Sequence, residues 1–249
     1  MKKQRLDDYL IEHSFARDKD EAFIIVTEGR VFAEGQKSVS PSQMVLPSAW
    51  IEVRPLNPYV GRGAYKLEGA LDAFAVDVNG LVCVDIGAAT GGFTQVLLKR
   101  GAAKVFAVDT AKGKLAMKLR EDTRVVVMEE TDIRQMESLP ELADLATIDI
   151  SLISLTGILP HVHRLLKPGG RVVALFKPQY ETRDSRMLVH GIIKDDASRA
   201  ELLNNFSEWL RENNWISEGK IESPIRGSEG NVEYLFKLSF GGYHLEPVQ

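Results

Sequence analysis

Three aspartates in the middle of the sequence each follow an apolar segment. Asp85 ends LVCVD, Asp109 ends KVFAVD, and Asp132 comes shortly after RVVVME. If these segments are neighbouring parallel strands, their carboxyl ends lie at one edge of a sheet, which is where open α/β proteins bind ligands. Three carboxylates at that edge suit a ligand that presents a cationic amino group, a ribose diol and an adenine amino group.

A glycine-rich turn follows Asp85 and leads into an amphipathic segment. Its candidate ligand-contacting residues are Gly87, Ala88, Ala89, Thr90, Gly91, Gly92 and Phe93. Gly87 and Gly92 have the spacing of a phosphate-binding loop, but Phe93 stands where that loop needs its lysine, which excludes ATP and GTP. Ala89 replaces the second glycine of a dinucleotide-binding turn. This makes an NAD-dependent oxidoreductase a weaker interpretation but does not exclude it.

S-adenosylmethionine fits these residues best, because it has no phosphate and carries the three groups named above. We expect Asp85 to bind its amino group, Asp109 its ribose hydroxyls and Asp132 its adenine amino group. Bare backbone at the glycines would let the ligand lie against the turn. The alternative for Asp109 and Asp132 is that each caps the start of a following helix.

The composition is that of a globular protein outside the membrane. The chain has 249 residues, of which 44% are hydrophobic and 27% charged. No apolar run reaches the roughly 18 residues of a membrane-spanning helix, and the start MKKQRLDDYL lacks the apolar core of a signal peptide. The one cysteine, Cys83, lies in an apolar run, and His161 and His163 are spaced so that they do not share a helix face. We therefore expect a cytoplasmic protein with no membrane association and no bound metal.

The net charge of −4 does not indicate a nucleic-acid partner, since proteins that bind nucleic acids are more often basic. The densest basic tract comprises Lys99, Arg100, Lys104, Lys112, Lys114, Lys118 and Arg120. This tract is either solvated helix surface or an RNA-binding surface that the net charge conceals.

Two folded units are predicted. Residues 1–53 contain two short amphipathic helices, RLDDYLIEH and DEAFIIVTEG, and two strands, RVFA and AWIEVR. Residues 54–62 are rich in proline and glycine, which is typical of a linker. Residues 63–241 form the larger unit, and residues 242–249 a C-terminal tail.

Strand and helix patterns alternate from Leu81 onwards, which predicts a mostly parallel sheet with helices on both faces. Helices are expected up to Arg100 and over residues 114–122, 152–166 and 198–214. After the last helix, WISEGKIESPI and NVEYLFKLSF have the pattern of two strands in an antiparallel hairpin that closes the sheet.

Five longer motifs lie in order over residues 59–240: YVGRGAYKLEGAL, VDIGAATGGFT, IDISLISL, LLKPGGRVVALFKPQYE and SPIRGSEGNVEYL. In these motifs the chain resembles the TlyA family, haemolysin A-like bacterial proteins that act as ribosomal RNA 2′-O-methyltransferases with an FtsJ-like catalytic domain. The resemblance implies an α/β, Rossmann-like methyltransferase fold with a mostly parallel seven-stranded sheet and an antiparallel C-terminal hairpin. It also implies S-adenosylmethionine as cofactor and ribosomal RNA or a ribosomal subunit as partner. The methylated group is expected to be the ribose of a cytidine in that RNA.

The same resemblance assigns a catalytic tetrad to Lys66, Asp149, Lys177 and Glu233, with Asp149 also contacting the cofactor. A ribose 2′-hydroxyl is a weak nucleophile and must lose its proton as it attacks a methyl group. Lys177 could accept that proton in its neutral form, which a second ammonium group at Lys66 and partial burial would favour. The two carboxylates would hold the lysines by charge-assisted hydrogen bonds.

Residues 1–53 resemble the small α+β RNA-binding module, first seen in a ribosomal small-subunit protein, that TlyA relatives carry in this position. Residues 5–7, 29–31 and 41–42 match, whereas residues 18–21 are mostly acidic where the family has Ser-Arg. Two alternatives to methyl transfer are a catalytically inactive RNA-binding assembly factor and, from the family's older name, a membrane-lytic haemolysin. The nucleotide methylated, the subunit recognised and the oligomeric state do not follow from the sequence.

Overall fold

The computed structural model describes residues 2–55, 58–193, 195–227 and 229–242. Residues 243–249 of the predicted C-terminal tail and residues 56 and 57 of the predicted linker lie outside this range. The chain divides into two compact units, Met1–Pro58 and Tyr59–Gln249. Each unit has an apolar core made of its own residues.

Short helices and strands make up the N-terminal unit. They are β1 Gln4–Arg5, α1 Leu6–Glu12, α2 Lys19–Thr27, β2 Val31–Ala33, β3 Gln36–Lys37, β4 Met44–Val45 and β5 Ile51–Val53. β1 pairs with β4, and β2 lies between β3 and β5 in an antiparallel sheet. Leu6 and Leu10 of α1, Ile25 of α2 and Val31 of β2 pack together in the core.

The acidic segment before α2 stabilises the start of that helix. The Asp18 carboxylate accepts a hydrogen bond from the backbone N–H of Glu21 at 2.8 Å. The Glu21 carboxylate in turn accepts one from the backbone N–H of Arg17 at 2.8 Å. Such bonds satisfy backbone groups that a helix start leaves without partners. The acidic residues that depart from the family pattern therefore have a local structural role.

The larger unit is built on one sheet. Its elements are α3 Ala64–Ala73, β6 Val82–Ile86, α4 Gly92–Lys99, β7 Lys104–Val108, α5 Met117–Arg120, β8 Val125–Met128, β9 Ala143–Ile148, α6 Leu159–Val162, β10 Leu166–Phe176, α7 Pro178–Glu181, α8 Asp196–Glu212, β11 Trp215–Glu222 and β12 Tyr234–Phe240. The seven strands lie in the order β11-β12-β10-β9-β6-β7-β8. β6 to β10 are parallel, and β12 is antiparallel to both of its neighbours. This confirms the predicted seven-stranded methyltransferase sheet and its C-terminal hairpin.

Both faces of the sheet are covered, because successive side chains of a strand point to opposite faces. Cys83 of β6 packs in an apolar cluster with Leu67 of α3 and Leu97 of α4. The next residue, Val84, belongs to a second cluster that includes Phe206 of α8. With both faces covered, the carboxyl edge of the parallel strands is the exposed place where polar residues from several strands meet.

The helix predicted over residues 152–166 is wrong as a continuous element. The structure has a 3₁₀ turn at Leu155–Gly157, the four-residue α6, a second 3₁₀ turn at His163–Leu165, and then β10. Pro160 has no backbone N–H and therefore fits only near the start of a helix, which is where α6 places it. The Ser154 hydroxyl accepts from the backbone N–H of Thr156 and begins the first turn.

The helix predicted over residues 114–122 is shortened to α5. Ala116 has an extended backbone instead of a helical one. Its N–H donates to the carbonyl oxygen of Thr90 at 3.2 Å, so the segment before α5 is tied to the glycine-rich turn.

No helix among the described residues is both long and apolar enough to cross a membrane.

Candidate active site

The glycine-rich turn connects β6 to α4 and depends on glycine at two places. Gly87 has φ of +85°, and a Cβ built there would lie 2.5 Å from the carbonyl oxygen of Asp149. Gly91, with φ of +95°, caps α4, and a Cβ there would clash with the Leu119 side chain. Left-handed backbone and close packing both demand glycine. For Gly91, contact with the cofactor stays a prediction, and the side chains that an added Cβ would meet are those of Leu115 and Leu119.

Asp109, at the end of β7, holds the turn in place. One carboxylate oxygen accepts the backbone N–H of Ala89 at 2.8 Å, and the other accepts that of Ala111 at 2.7 Å. Ala89 itself has φ of +48°, an uncommon conformation for a residue with a side chain. Asp109 is therefore not a helix cap; it fixes the distance between the turn and the next strand.

A cavity of about 290 Å³, here called the carboxylate cavity, opens beside this turn. Its walls include Asp109 and Asp132 together with the apolar residues Val108, Ile133, Ile150 and Ile158. The Asp132 carboxylate pairs with Arg134 at 2.6 Å, and hydrogen bonding to that side chain lowers the pKa of Asp132. Asp132 also accepts the backbone N–H two residues ahead, so it forms a local turn and does not cap a helix.

A second cavity, of about 380 Å³, contains all four residues of the predicted tetrad and is called the tetrad cavity. Lys66 lies on α3, Asp149 and Lys177 directly follow β9 and β10, and Glu233 directly precedes β12. Four separate elements thus bring these side chains together.

Asp85 takes a different position from the one predicted. Its side chain is fully buried, and it accepts hydrogen bonds from the hydroxyls of Thr94 at 2.6 Å and Thr147 at 3.0 Å. Burial raises the pKa of Asp85 to about 6, and the threonine hydrogen bonds partly oppose that shift. Asp85 lines neither the carboxylate cavity nor the tetrad cavity. The structure therefore does not place Asp85 against the amino group of a ligand, as was predicted, and instead bonds it to Thr94 of α4 and Thr147 of β9.

The tetrad consists of two ion pairs. Lys66 Nζ lies 2.5 Å from Glu233 Oε2, and both side chains are buried. Lys177 Nζ lies 2.6 Å from Asp149 Oδ1 and donates to the Ser151 hydroxyl at 3.0 Å. Buried charges persist when they are paired in this way. The pairing leaves each lysine able to offer a further N–H to a bound group, since an ammonium has three donors.

The two cavities adjoin each other. Gly87, Ala89, Asp149 and Ser151 line both of them. Of the remaining predicted turn residues, Ala88, Thr90, Gly92 and Phe93 line the tetrad cavity. A ligand in the carboxylate cavity and one in the tetrad cavity would therefore meet beside Asp149, within reach of the Lys177 ammonium group.

Sequence reasoning missed several residues of the tetrad cavity, namely Arg62, Ser151, Gln179 and Tyr180. Ser151 lies two positions after Asp149, and Gln179 lies two positions after Lys177. Both belong to motifs that carry the family resemblance. Their position directly after a strand end that bears a catalytic group was the signal that could have identified them.

The basic tract is largely occupied by ion pairs. Lys104 pairs with Glu141 and Lys112 with Glu130, while Arg100 and Arg120 pair with acidic side chains nearby. Lys99 lies over the Tyr59 ring, and Lys114 lines the carboxylate cavity. An RNA-binding role for this tract stays a prediction.

The model of the family described as FtsJ-like methyltransferase matches residues 59–240. The 16S/23S rRNA (cytidine-2′-O)-methyltransferase TlyA of Mycobacterium tuberculosis is 38% identical over 241 residues, covering 95% of this chain and 90% of the relative. The chain belongs to the TlyA family of FtsJ-like methyltransferases.

Two further relatives agree with this membership. Hemolysin A of Brachyspira hyodysenteriae is 37% identical over 234 residues, which cover 93% of this chain and 98% of the relative. A solved structure of a Streptococcus thermophilus protein described as a hemolysin is 34% identical and superposes with a TM-score of 0.74, covering 97% of this chain and 90% of that one. As a TlyA-family member, this chain is a methyltransferase that uses S-adenosylmethionine.

The residues of the carboxylate cavity fit that cofactor. Apolar walls such as Ile133 and Ile158 suit an adenine ring. Each oxygen of the Asp109 carboxylate holds one backbone N–H, and a carboxylate oxygen can accept two hydrogen bonds. Asp109 therefore retains the capacity to accept from the two hydroxyls of a ribose.

Proposed function

We propose that this chain transfers the methyl group of S-adenosylmethionine to the 2′-hydroxyl of a cytidine ribose in ribosomal RNA. The M. tuberculosis relative is named for this activity on 16S and 23S ribosomal RNA. The observation that carries the proposal is the pair of lysine–carboxylate contacts, Lys66–Glu233 and Lys177–Asp149, in a cavity that adjoins the carboxylate cavity.

In this proposal the carboxylate cavity holds the adenosine part of the cofactor. Asp109 would accept from the ribose hydroxyls and Asp132 from the adenine amino group. The glycine-rich turn and Asp149 would border the part of the cofactor nearest the tetrad cavity. When bound, S-adenosylmethionine supplies an electrophilic methyl group on a positively charged sulfur. The protein itself must then position a ribose hydroxyl and remove its proton.

Lys177 is the proposed proton acceptor. Its ammonium group lies at the boundary of the two cavities, fixed by Asp149 and Ser151 at 2.6 and 3.0 Å. A lysine accepts a proton only when neutral, and ordinary lysines are charged near pH 7. Lys177 must therefore release its own proton before the transfer begins. The proton of the 2′-hydroxyl would pass to Lys177 Nζ as the new carbon–oxygen bond forms.

Lys66 and Glu233 are proposed to orient the acceptor ribose. Their contact at 2.5 Å is buried, and it fixes the Lys66 side chain on one side of the cavity. An ammonium held in this way can donate to a ribose oxygen with little further loss of side-chain conformational entropy. Positioning of two reactants in line is a large part of what an enzyme can contribute to such a transfer.

The test is methylation of ribosomal subunits taken from a strain that lacks the protein. The purified chain is incubated with 30S subunits, 50S subunits or deproteinised ribosomal RNA and with methyl-labelled S-adenosylmethionine. A 2′-O-methylated nucleotide resists alkaline hydrolysis because its 2′-oxygen can no longer attack the backbone, so resistant positions locate the product. We expect label at cytidine ribose in the wild type and none with Lys177→Ala.

Label on a base, or no transfer to any ribosomal RNA, would contradict the proposed function. Transfer to intact subunits but not to deproteinised RNA would identify an assembled ribosomal particle as the partner.

A further inference from the structure

Gln179 carries a buried amide oxygen whose bonding is incomplete. Among the residues that the structure describes, its Oε1 atom is buried and has no hydrogen-bond partner. The residue lies on α7, two positions after Lys177, and lines the tetrad cavity. An unsatisfied buried acceptor is destabilising, so its presence in a native structure calls for an explanation. A ligand that brings an N–H or O–H donor would complete the bonding.

The charged side chains described in this cavity already have partners. Lys66 contacts Glu233, and Lys177 contacts Asp149. Arg62 donates to the backbone carbonyl of Arg226 at 2.7 Å. Gln179 therefore differs from the tetrad residues in having an acceptor that is ready for a bound molecule.

The position of α7 in the sheet indicates which substrate Gln179 meets. β10, which leads into α7, lies on the side of β9 away from β6, β7 and β8. The residues proposed to hold adenosine, Asp109 and Asp132, come from the ends of β7 and β8. Gln179 also lines the tetrad cavity and is absent from the lining of the carboxylate cavity. It is thus placed on the side of the nucleotide that receives the methyl group.

Tyr180 adds a second feature suited to a nucleotide. It also lines the tetrad cavity, and its ring centre lies 5.9 Å from Lys177 Nζ. Proteins that recognise unpaired RNA bases commonly combine an aromatic face for stacking with hydrogen bonds to the base edge. An aromatic ring and an unsatisfied amide next to each other on α7 match that combination.

We propose that Gln179 Oε1 accepts a hydrogen bond from the exocyclic amino group of the target base and thereby favours cytidine over uridine. This inference rests on the RNA methyltransferase function proposed above. Cytosine presents an amino donor at the position where uracil presents a carbonyl acceptor. With uracil, two acceptors would face each other in a buried site, and neither would be satisfied.

The experiment uses the full chain and the ribosomal RNA position found by mapping 2′-O-methylation. Transcripts or reconstituted subunits carry cytidine or uridine at that position, and methyl transfer is measured over a range of RNA concentrations. Gln179→Leu should lower kcat/KM on the cytidine substrate by about 10- to 100-fold, as expected when a buried hydrogen bond to a base is removed. The preference for cytidine over uridine should fall toward unity, while S-adenosylmethionine affinity in calorimetry stays at the wild-type value.

Two further variants separate the role of the amide from other effects. Gln179→Glu presents only oxygens at this site and should retain the preference for cytidine. Gln135→Leu makes the same chemical change at an exposed residue outside both cavities and should leave every parameter unchanged.

The outcomes distinguish this inference from the proposed function. Failure of the wild type to methylate ribosomal RNA would overturn the function itself. If the wild type is active but Gln179→Leu keeps the wild-type cytidine preference, the assignment of Gln179 is wrong and the function stands. If the variant instead weakens S-adenosylmethionine binding by the same factor as kcat/KM, Gln179 belongs to the cofactor site. Loss of cytidine preference in Gln179→Glu would also contradict the proposal.

Discussion

Lys177 and Lys66 carry the same charge but occupy different surroundings. Lys177 contacts Asp149 and Ser151, two residues that line both cavities. Lys66 contacts Glu233, which lines only the tetrad cavity. The contacts of Lys177 thus fix it where both reactants would meet, whereas the contact of Lys66 holds it on the acceptor side alone. We therefore expect one lysine to accept the proton and the other to position the ribose.

Exchange of each lysine for arginine tests that division of roles. Arginine keeps the positive charge but does not release its proton at any pH an enzyme tolerates. Lys177→Arg should therefore reduce single-turnover methyl transfer by about 10²–10⁴-fold, the usual contribution of a general base, with cofactor binding nearly unchanged. Lys66→Arg should lose less. Near-wild-type turnover in Lys177→Arg would mean that the tetrad acts by positioning alone.

Asp85 makes the stability of the larger unit depend on pH. Its folded-state pKa, about 6, lies above the ordinary aspartate value of 3.8. The folded protein therefore keeps a proton that the unfolded chain releases, so the stabilisation is complete below about pH 4 and is lost as the pH rises through 6. Asp85→Asn has no charge to bury. Its unfolding free energy relative to wild type should rise by up to about 3 kcal/mol between pH 4 and pH 7.

Urea unfolding of both proteins across that pH range measures the difference. If the unfolding free energies of wild type and Asp85→Asn change in parallel with pH, the pKa of Asp85 is not raised by folding.

The chemical types at the site and the pairing of its lysines with carboxylates were predictable from the sequence, but the partners of Asp85 were not. The tetrad residues follow from matching motifs, and the structure places all four in one cavity. The burial of Asp85 depends on the register of β6 against β9, which sets Asp85 beside Thr147, and on α4, which brings Thr94 to it. Neither pairing can be deduced from local sequence, because register and helix packing are set by the whole sheet.

The turn between β6 and α4 is the element on which the site depends most. Gly87→Ala would place a methyl group 2.5 Å from the Asp149 carbonyl oxygen, at a residue with φ of +85°. The backbone after β9 cannot yield without moving Asp149, so we expect a large loss of thermal stability together with a loss of S-adenosylmethionine binding. Gly80→Ala is the matched control, since Gly80 has φ of +75° but nothing within 4 Å of its added Cβ.

Gly80→Ala should lower the free energy of unfolding only by the cost of a left-handed backbone at alanine, about 1 kcal/mol. This variant should bind the cofactor normally. Melting curves and calorimetry of the two variants separate strain from collision. Equal destabilisation of both would show that the contact between Gly87 and Asp149 is not tight.

Strands and the long helix were predictable at the scale of elements because their apolar periodicity extends over many residues. The two helices predicted with wrong bounds, at residues 114–122 and 152–166, fall in segments that border the site. In the first, the backbone N–H of Ala116 bonds to Thr90 instead of continuing a helix. In the second, Ser154 and Leu155 donate to the half-buried Glu181 carboxylate, and desolvation raises the pKa of Glu181. Long-range contacts that shape a site overrode local periodicity in both cases.

The whole molecule consists of two units with separate cores, and most of the basic residues in its N-terminal unit form ion pairs. Arg5 pairs with Asp7, Arg17 with Glu21, Lys19 with Asp8, Arg30 with Glu28 and Arg54 with Glu52. Lysines and arginines neutralised within a protein contribute less to binding phosphates. If this unit binds ribosomal RNA, as its resemblance to an RNA-binding module predicts, shape and backbone contacts should matter more than net charge.

Removal of residues 1–53 tests the proposed role of the N-terminal unit. The apolar clusters of the larger unit draw on residues from 59 onwards, so the shortened chain should fold, melt cooperatively and bind S-adenosylmethionine with the affinity of the full chain. Its affinity for ribosomal RNA should fall, while transfer at saturating RNA persists.

The salt dependence of RNA binding gives a second measurement. Removal of one phosphate contact changes the slope of log affinity against log salt concentration by less than about one. Because the basic residues of this unit are mostly paired, the shortened chain should show only a small change in that slope. A shortened chain that binds ribosomal RNA as tightly as the full chain would assign the N-terminal unit another task, and one that no longer binds the cofactor would show that the unit supports the cofactor site.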